Sequence, residues 1–454
     1  MRYTSTILSA LICLIFVSCK KYLNKIPDKS LSIPSTLNDI QQLLDNDVTT
    51  IQSTPALGEI GSDNIYLPYS IWQARIPIMK NAYIWATDVY QGQSVDDWNI
   101  PYHVIYYANI ALDALKGISV TPENQVQWNN IKGDALFYRG FEFYCLQETF
   151  GQPYKTSTAN SDLGIPLRLT SDLNDRSTRS TVAETYNQVI RDLKEAKDLL
   201  PVAIQTSTRN RPCKPAAYAM LARVYLAMQD YQNAFQYADS CLALYNMLLD
   251  YNTVNAAATF PFTSTSVPNK EVMFQCTQIY YSITFYPVDS TLYNSYAFND
   301  IRKTAFFRTN ASTGTHDFKG NYTARAFLFN GLATDEAYLI RAECNARAGN
   351  TSLAMNDLNS LLSKRWKSGT FIPLIAANAS DALNIILIER RKELLMRGLR
   401  WTDLRRLNQD NNFAITLQRM LNGQTYTLAP NDKRYTYPIP DDEIRISGLQ
   451  QNPR

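Results

Sequence analysis

The chain has 454 residues, 44 Lys and Arg against 41 Asp and Glu, a formal net charge of +3 and 45% hydrophobic residues. That composition is globular, and so small a charge excess gives no electrostatic footprint for nucleic acid. Only His103 and His316 are present, which excludes a His-rich metal site and leaves little material for general-base chemistry by His.

The first eighteen residues read as a processing segment. Arg2 gives a short positive start, and an apolar run over 7–17 is too short to span a bilayer. The run ends in Phe16-Val17-Ser18-Cys19. A small residue directly before Cys is the pattern of a lipoprotein signal, so cleavage before Cys19 and lipidation of its thiol are expected, although Phe16 departs from the commoner Leu. Residues 19–35 carry Pro27 and Pro34 and read as an extended tether. The rest, 36–454, forms the body.

A short helix is expected over 36–46, capped by Ser35 or Thr36. Residues 55–97 show little helical periodicity and many aromatics, among them Tyr66, Tyr69, Trp72, Tyr83, Trp85 and Tyr90. From residue 98 a period of 3.6 takes over. Tyr102, Ile105, Ala108, Leu112 and Leu115 share one face. A second helix is expected over 123–149, ending at Phe150-Gly151, before a polar loop over 151–180. The next helix opens at Ser180 or Thr181, with Glu184 forming a capping-box start, and ends before Pro201.

An internal repeat follows. Over 218–241, Tyr218, Leu221, Ala222, Tyr225, Ala234, Ala238 and Cys241 have the spacing of a tetratricopeptide unit, with Asp230-Tyr231 at the turn. Over 338–361, Tyr338, Ala342, Ala354, Leu358 and Leu361 repeat it, with Gly349-Asn350 at the turn. A split unit joins Leu136, Gly140 and Phe143 to Val189, Leu193 and Ala196 across the 151–180 loop. Small residues at fixed offsets let antiparallel helices approach closely and stack. The expected fold is mainly α: a tetratricopeptide-like scaffold over 98–249 and 333–421. Loop-rich regions with minor β are expected over 55–97 and 250–332, with a turn-rich tail over 422–454. Helices are expected over 380–397 and 401–421, and a short alternating strand within 271–276. Cys145, Cys213, Cys241, Cys276 and Cys344 are scattered without metal-ligand spacing and read as buried free thiols.

Four segments resemble the SusD/RagB family of nutrient-binding outer-membrane lipoproteins. They are 389–406 (ERRKEL, then GLRWTDLRR), the ending Tyr437-Pro438-Ile439-Pro440 with Glu443-Ile444 and Gln451-Asn452-Pro453, the helix 135–151, and the segment 216–226. With the lipoprotein signal, the resemblance covers nearly the whole chain. The chain is short for that family, and Lys20-Lys21-Tyr22 lacks the acidic pair that often follows the lipidated Cys. The resemblance implies a lipid-anchored outer-membrane protein facing the cell exterior. It also implies capture of oligosaccharide for a SusC-like TonB-dependent transporter, with no catalysis and no cofactor; a structural calcium is left open. Peptide cargo, as in the RagB branch, and a tetratricopeptide-type protein adaptor are the alternative readings.

Glu389 and Glu393 lie one helical turn apart among Arg390, Arg391, Arg397 and Arg400. So many cations would keep both carboxylates ionised, which suits an ion-pair network better than proton donation. Asp96-Asp97 and Asp441-Asp442-Glu443 read as turns or caps, and no GxSxG, Walker A, GxGxxG or HExxH motif is present. The aromatics carry the sharper expectation, because C–H faces of a sugar ring stack on Trp and Tyr. The resemblance puts ligand contacts on loops outside the repeat body. The candidates are Tyr66, Trp72, Tyr90 and Trp98 from the first loop region, Tyr281 and Tyr286 from the later lobe, and Asp63, Asn64 and Asp97 as polar contacts. Each aromatic competes with a reading as core; Trp85 and Trp128 read as core.

Overall fold

The computed structural model describes residues 34–46, 53–206, 208–262, 269–281, 283–323 and 325–454. The signal segment, Cys19 and residues 19–33 of the tether lie outside the described residues. Helix α1 (Leu37–Leu44) opens with the expected cap: Asp39 N donates to Thr36 Oγ1 at 3.2 Å, and Thr36 N to the Asp39 carboxylate at 3.1 Å. The segment without periodicity holds three short helices, α2 (Leu57–Gly61), α3 (Tyr69–Gln73) and α4 (Pro77–Tyr83). Each is too short to display a 3.6-residue pattern.

The scaffold begins with α5 (Asp96–Leu115) and α6 (Gln125–Phe150), and α6 packs between α5 and α7 (Val182–Leu199). Almost every residue of α6 from Ile131 onward is buried, so its charged groups need internal partners. Arg139 donates twice to Asp192 of α7, both at 2.7 Å. Gly140 marks the closest approach: a Cβ there would stand 3.2 Å from Leu193 Cγ and 3.2 Å from Asp192 Cβ. The split repeat unit is therefore a real helix pair. Its intervening loop contains the antiparallel strands β1 (Leu163–Pro166) and β2 (Arg179–Thr181), and Thr181 caps α7 through a capping box with Glu184.

The second pair is α8 (Lys214–Ala227) and α9 (Tyr231–Leu244), with Ala222, Ala234 and Ala238 fully buried at the contact and Asp230 capping α9. An irregular lobe follows. It holds β3 (Val272–Phe274), α10 (Ser290–Asn294), α11 (Arg302–Ala305), and the hairpin of β4 (Phe307–Thr309) with β5 (His316–Phe318). Strand β6 (Leu332–Ala333) pairs antiparallel with β3. The third pair is α12 (Thr334–Arg347) and α13 (Thr351–Leu362), again with two buried alanines, Ala342 and Ala354, and with Gly349 at φ +85° in the turn. Helix α7 stacks on α8, and α9 on α12, so the three pairs form one array. Helix α14 (Ala379–Glu393) closes it against α12 and α13. The protein is thus mainly α, with a tetratricopeptide-like scaffold and minor β.

One expectation is corrected here. α-Helix after α14 is confined to α15 (Arg400–Leu407) before the last helix α16 (Asp441–Ser447), and 417–428 is a hairpin of β7 (Leu417–Leu421) and β8 (Gln424–Leu428). The turn residues Asn422 and Gly423 both adopt positive φ, 48° and 79°, the backbone a two-residue hairpin demands. Strand β7 alternates buried and exposed residues, with period two rather than 3.6.

The 389–406 motif is a buried charged hub, as expected, but its partners come from far along the chain. Glu393 accepts from Arg302 at 2.9 Å and from Arg365 at 2.7 Å, and neither arginine reaches solvent. Arg302 also binds Asp300 and Glu389, each at 2.7 Å, and Arg365 binds Glu271 at 2.8 Å. Arg397 pairs with Asp335, Arg390 with Asp403, and Arg406 with Glu343. Burial raises the Glu343 carboxyl, but Arg406 and Arg347 outweigh it and hold the group at about 2. The hub pins the irregular lobe to the C-terminal helices. All five described cysteines are buried, and none forms a disulfide among the described residues.

Candidate functional site: an exposed ring surface

Among the nine loop residues singled out in the sequence, the structure separates two kinds. Tyr66 is 48% exposed, and Trp72 on α3 is half-buried. Tyr69, also on α3, is 38% exposed and lies one turn from Trp72; their rings stack at 5.8 Å between centroids and 29° between planes. A spacing of three places both on one helix face. That signal was readable in Tyr66-x-x-Tyr69-x-x-Trp72, and Tyr69 was missed as a site residue because α3 is too short to show a period. Tyr280, 38% exposed and in edge contact with Phe327, is a second ring outside the expected set.

The surface is rigidly mounted. Pro68 starts α3, and its carbonyl accepts from Trp72 N at 2.9 Å. The indole Nε1 of Trp72 donates to Lys80 O at 3.0 Å, tying α3 to α4. Leu67 N donates to the buried Tyr83 hydroxyl at 2.8 Å, and Tyr66 N to Pro287 O at 3.0 Å. The mount therefore leaves the rings little conformational freedom to lose on any contact.

The other candidates do not join this surface: all but the half-buried, arginine-bound Asp63 are buried, and their expected place on the ring surface is corrected. Asp97 is fully buried at the start of α5, where it accepts from Ala56 N at 2.6 Å, from Leu57 N at 2.9 Å and from the Tyr281 hydroxyl. Burial pushes its carboxyl up to about 6 against those hydrogen bonds. This carboxylate locks the N-terminal segment and the later lobe onto α5, and Tyr281 is buried with it. Tyr90 is buried with its hydroxyl on Pro438 O at 2.8 Å. Tyr286 is buried, within electrostatic range of both Tyr280 and Arg75. Asn64 is buried, donating to Glu59 at 2.9 Å. Asp63 is bound by Arg400 at 2.7 and 2.9 Å and by Arg391 at 3.1 Å. Burial raises its carboxyl, and the two guanidiniums more than offset this, holding it far below the ordinary range. Trp98 is 4% exposed, packed between Tyr102 and Phe150. These residues misled because aromatic and acidic side chains serve cores and caps as readily as ligands, and spacing alone does not tell which.

Among the described residues, no helix is long and apolar enough to cross a membrane, and no group of three or more His, Cys, Asp or Glu is placed to hold a metal ion. The surface offers stacking faces in Tyr66, Tyr69 and Trp72.

Known proteins share both sequence and fold with this chain. A family model described as starch-binding, associating with the outer membrane, matches residues 21–226, and one described as the SusD family matches 334–454. A SusD-like protein P2 of Formosa agariphila is 27% identical over 419 residues, 78% of this chain and 79% of that protein. A SusD superfamily protein of Bacteroides vulgatus superposes with a TM-score of 0.73 at 22% identity, covering 92% of this chain and 99% of the other. A surface glycan-binding protein A of Bacteroides fluxus superposes with a TM-score of 0.69 at 17% identity, covering 92% and 100%.

Proposed function

The chain belongs to the SusD/RagB family, and from that premise we propose that it is a surface receptor that holds an oligosaccharide without turning it over. The observation that carries this reading is the rigid, outward-facing ring set of Tyr66, Tyr69 and Trp72. Aromatic faces on a fixed mount suit the C–H faces of successive sugar rings, and a net charge near zero gives no pull toward a polyanion. The expected addresses follow the family: lipid on Cys19 in the outer membrane, the body facing the exterior, and a SusC-like TonB-dependent transporter taking the cargo.

An array carrying plant, algal and host glycans beside a peptide library tests the cargo. The expected result is glycan binding by the wild type, lost in Trp72→Ala, with no peptide signal. Peptide binding that survives Trp72→Ala would overturn the carbohydrate reading. The anchor is tested by labelling cells with a fatty-acid probe: wild type should carry it and Cys19→Ser should not.

A further inference from the structure

Trp98 faces a second concavity that shares no residue with the ring surface. Its lining includes Trp98, Tyr102, His103, Tyr106, Arg168 and Glu443, and its volume is about 360 Å³, the lower end of the roughly 300–1,000 Å³ typical of small-ligand sites. It has room for one ring rather than a chain. We infer that this cleft binds a single pyranose-sized, hydroxylated ring, a site separate from the exposed rings.

The wall on α5 is aromatic by construction. Positions 98, 102 and 106 are four apart, so their rings line one face of the helix, and Trp98 and Tyr102 stand 4.8 Å apart between centroids. The opposite wall is the loop after β1, and it is fastened to α5. The Tyr102 hydroxyl donates to Pro166 O at 2.8 Å, and Asn109 Nδ2 donates to Arg168 O at 2.9 Å and Thr170 O at 3.2 Å. Asn109 is itself oriented by Arg139 of α6, at 3.0 Å. The Arg168 guanidinium is held by Asp172 O at 2.7 Å and by Ser177 Oγ at 3.1 Å. The cleft is therefore formed before any ligand arrives.

What the cleft leaves free decides the ligand. The Glu443 carboxylate on α16, the His103 imidazole and the Tyr106 hydroxyl line it or its mouth, and none has a hydrogen-bond partner among the described residues. An aromatic wall opposite free acceptors and donors matches a ring with C–H faces and hydroxyl edges. Arg168 and Glu443 bring one charge of each sign, so a neutral ligand fits better than an ion. The sugar class rests on the carbohydrate reading of the family; the place rests on this cleft alone.

The test uses the mature chain labelled with 5-fluorotryptophan, whose six Trp are resolved by fluorine NMR; Trp98 is assigned with Trp98→Phe and Trp72 with Trp72→Ala. D-Glucose, D-galactose, D-mannose and N-acetylglucosamine are titrated singly. The expected result is a saturable shift of the Trp98 signal with at least one sugar. It should weaken at least about tenfold, near 1.4 kcal/mol, in Glu443→Gln and in Tyr106→Ala, and stay unchanged in Trp72→Ala. A Trp98 signal that none of the four sugars moves would overturn the inference, as would a shift equally strong in both cleft variants. A Trp72 signal that responds to an array-selected oligosaccharide while Trp98 stays still would sink the cleft and leave the receptor reading standing.

Discussion

The hub around Glu393 and the ring surface around Trp72 are built from residue types that function often recruits, and they do opposite jobs. In the hub, Arg302 and Arg365 are wholly buried, and Asp300, Glu389 and Glu393 are each shared between two cations, while Glu271 meets Arg365 alone. Removing one partner there strands a charge in a medium that cannot solvate it. At the ring surface, Tyr66 and Tyr69 keep much of their area on water, so removing either of those rings should cost the fold little. Chemical type does not separate structure from function in this molecule; satisfaction of the polar groups and exposure of the faces do.

The largest effect should come from breaking the hub. Glu393→Ala leaves Arg302 and Arg365 each short of a partner, and should lower unfolding free energy by about 3–5 kcal/mol, read by urea denaturation. A second break sharpens the role of the cations. Glu142 is a buried carboxyl that accepts from Ser53 Oγ at 2.6 Å, with no cation paired to it among the described residues, and burial pushes it from 4.5 up to about 8. Its folded-state value is raised, so the native state holds the proton more tightly than the unfolded chain. Its contribution is then fully present below about 4.5 and is lost as pH rises toward 8. Glu142→Gln should therefore lose less stability than wild type between those values, by about 1.4 kcal/mol per pH unit for one proton; equal slopes would contradict the assignment. On the other side of the comparison, Trp72→Ala should weaken glycan binding by roughly 2 kcal/mol, about thirtyfold, with a small drop in the thermal midpoint from the lost bond to Lys80 O and the fold retained by circular dichroism. The smallest effect tests the scaffold: Gly140→Ala inserts a methyl into the α6–α7 contact and should cost about 1 kcal/mol, with binding intact.

The scaffold was legible because its signal is local and repeated. Alanines twelve apart, a capping box at Thr181 and Glu184, and Gly349 in a turn each state a backbone requirement that one helix pair satisfies. The split unit was readable across a thirty-residue loop because Gly140 still had to meet Leu193. The β7–β8 hairpin was missed although Asn422-Gly423 announces it; the apolar alternation of a five-residue strand was read as a continuing helix. The ion-pair character of 389–406 was visible in its charge density, but Arg302, Arg365 and Glu271 were not, since pairing over about a hundred residues leaves no spacing to read. The candidate surface was half legible. Of the expected rings, Tyr66 and Trp72 stay at least partly exposed, while Tyr90, Tyr281 and Tyr286 are buried and Asp97 accepts from Ala56 N and Leu57 N in the interior. Exposure depends on what packs over a ring, and composition carries none of that.

The central claim is that rings on a fixed mount hold a sugar chain. The most direct measurement is one calorimetric titration of the strongest array glycan into wild type and into the double variant Tyr69→Ala/Trp72→Ala, with matched circular dichroism. Binding heat that vanishes in a variant folded like wild type is the predicted result. Undiminished heat in that same folded variant would contradict it.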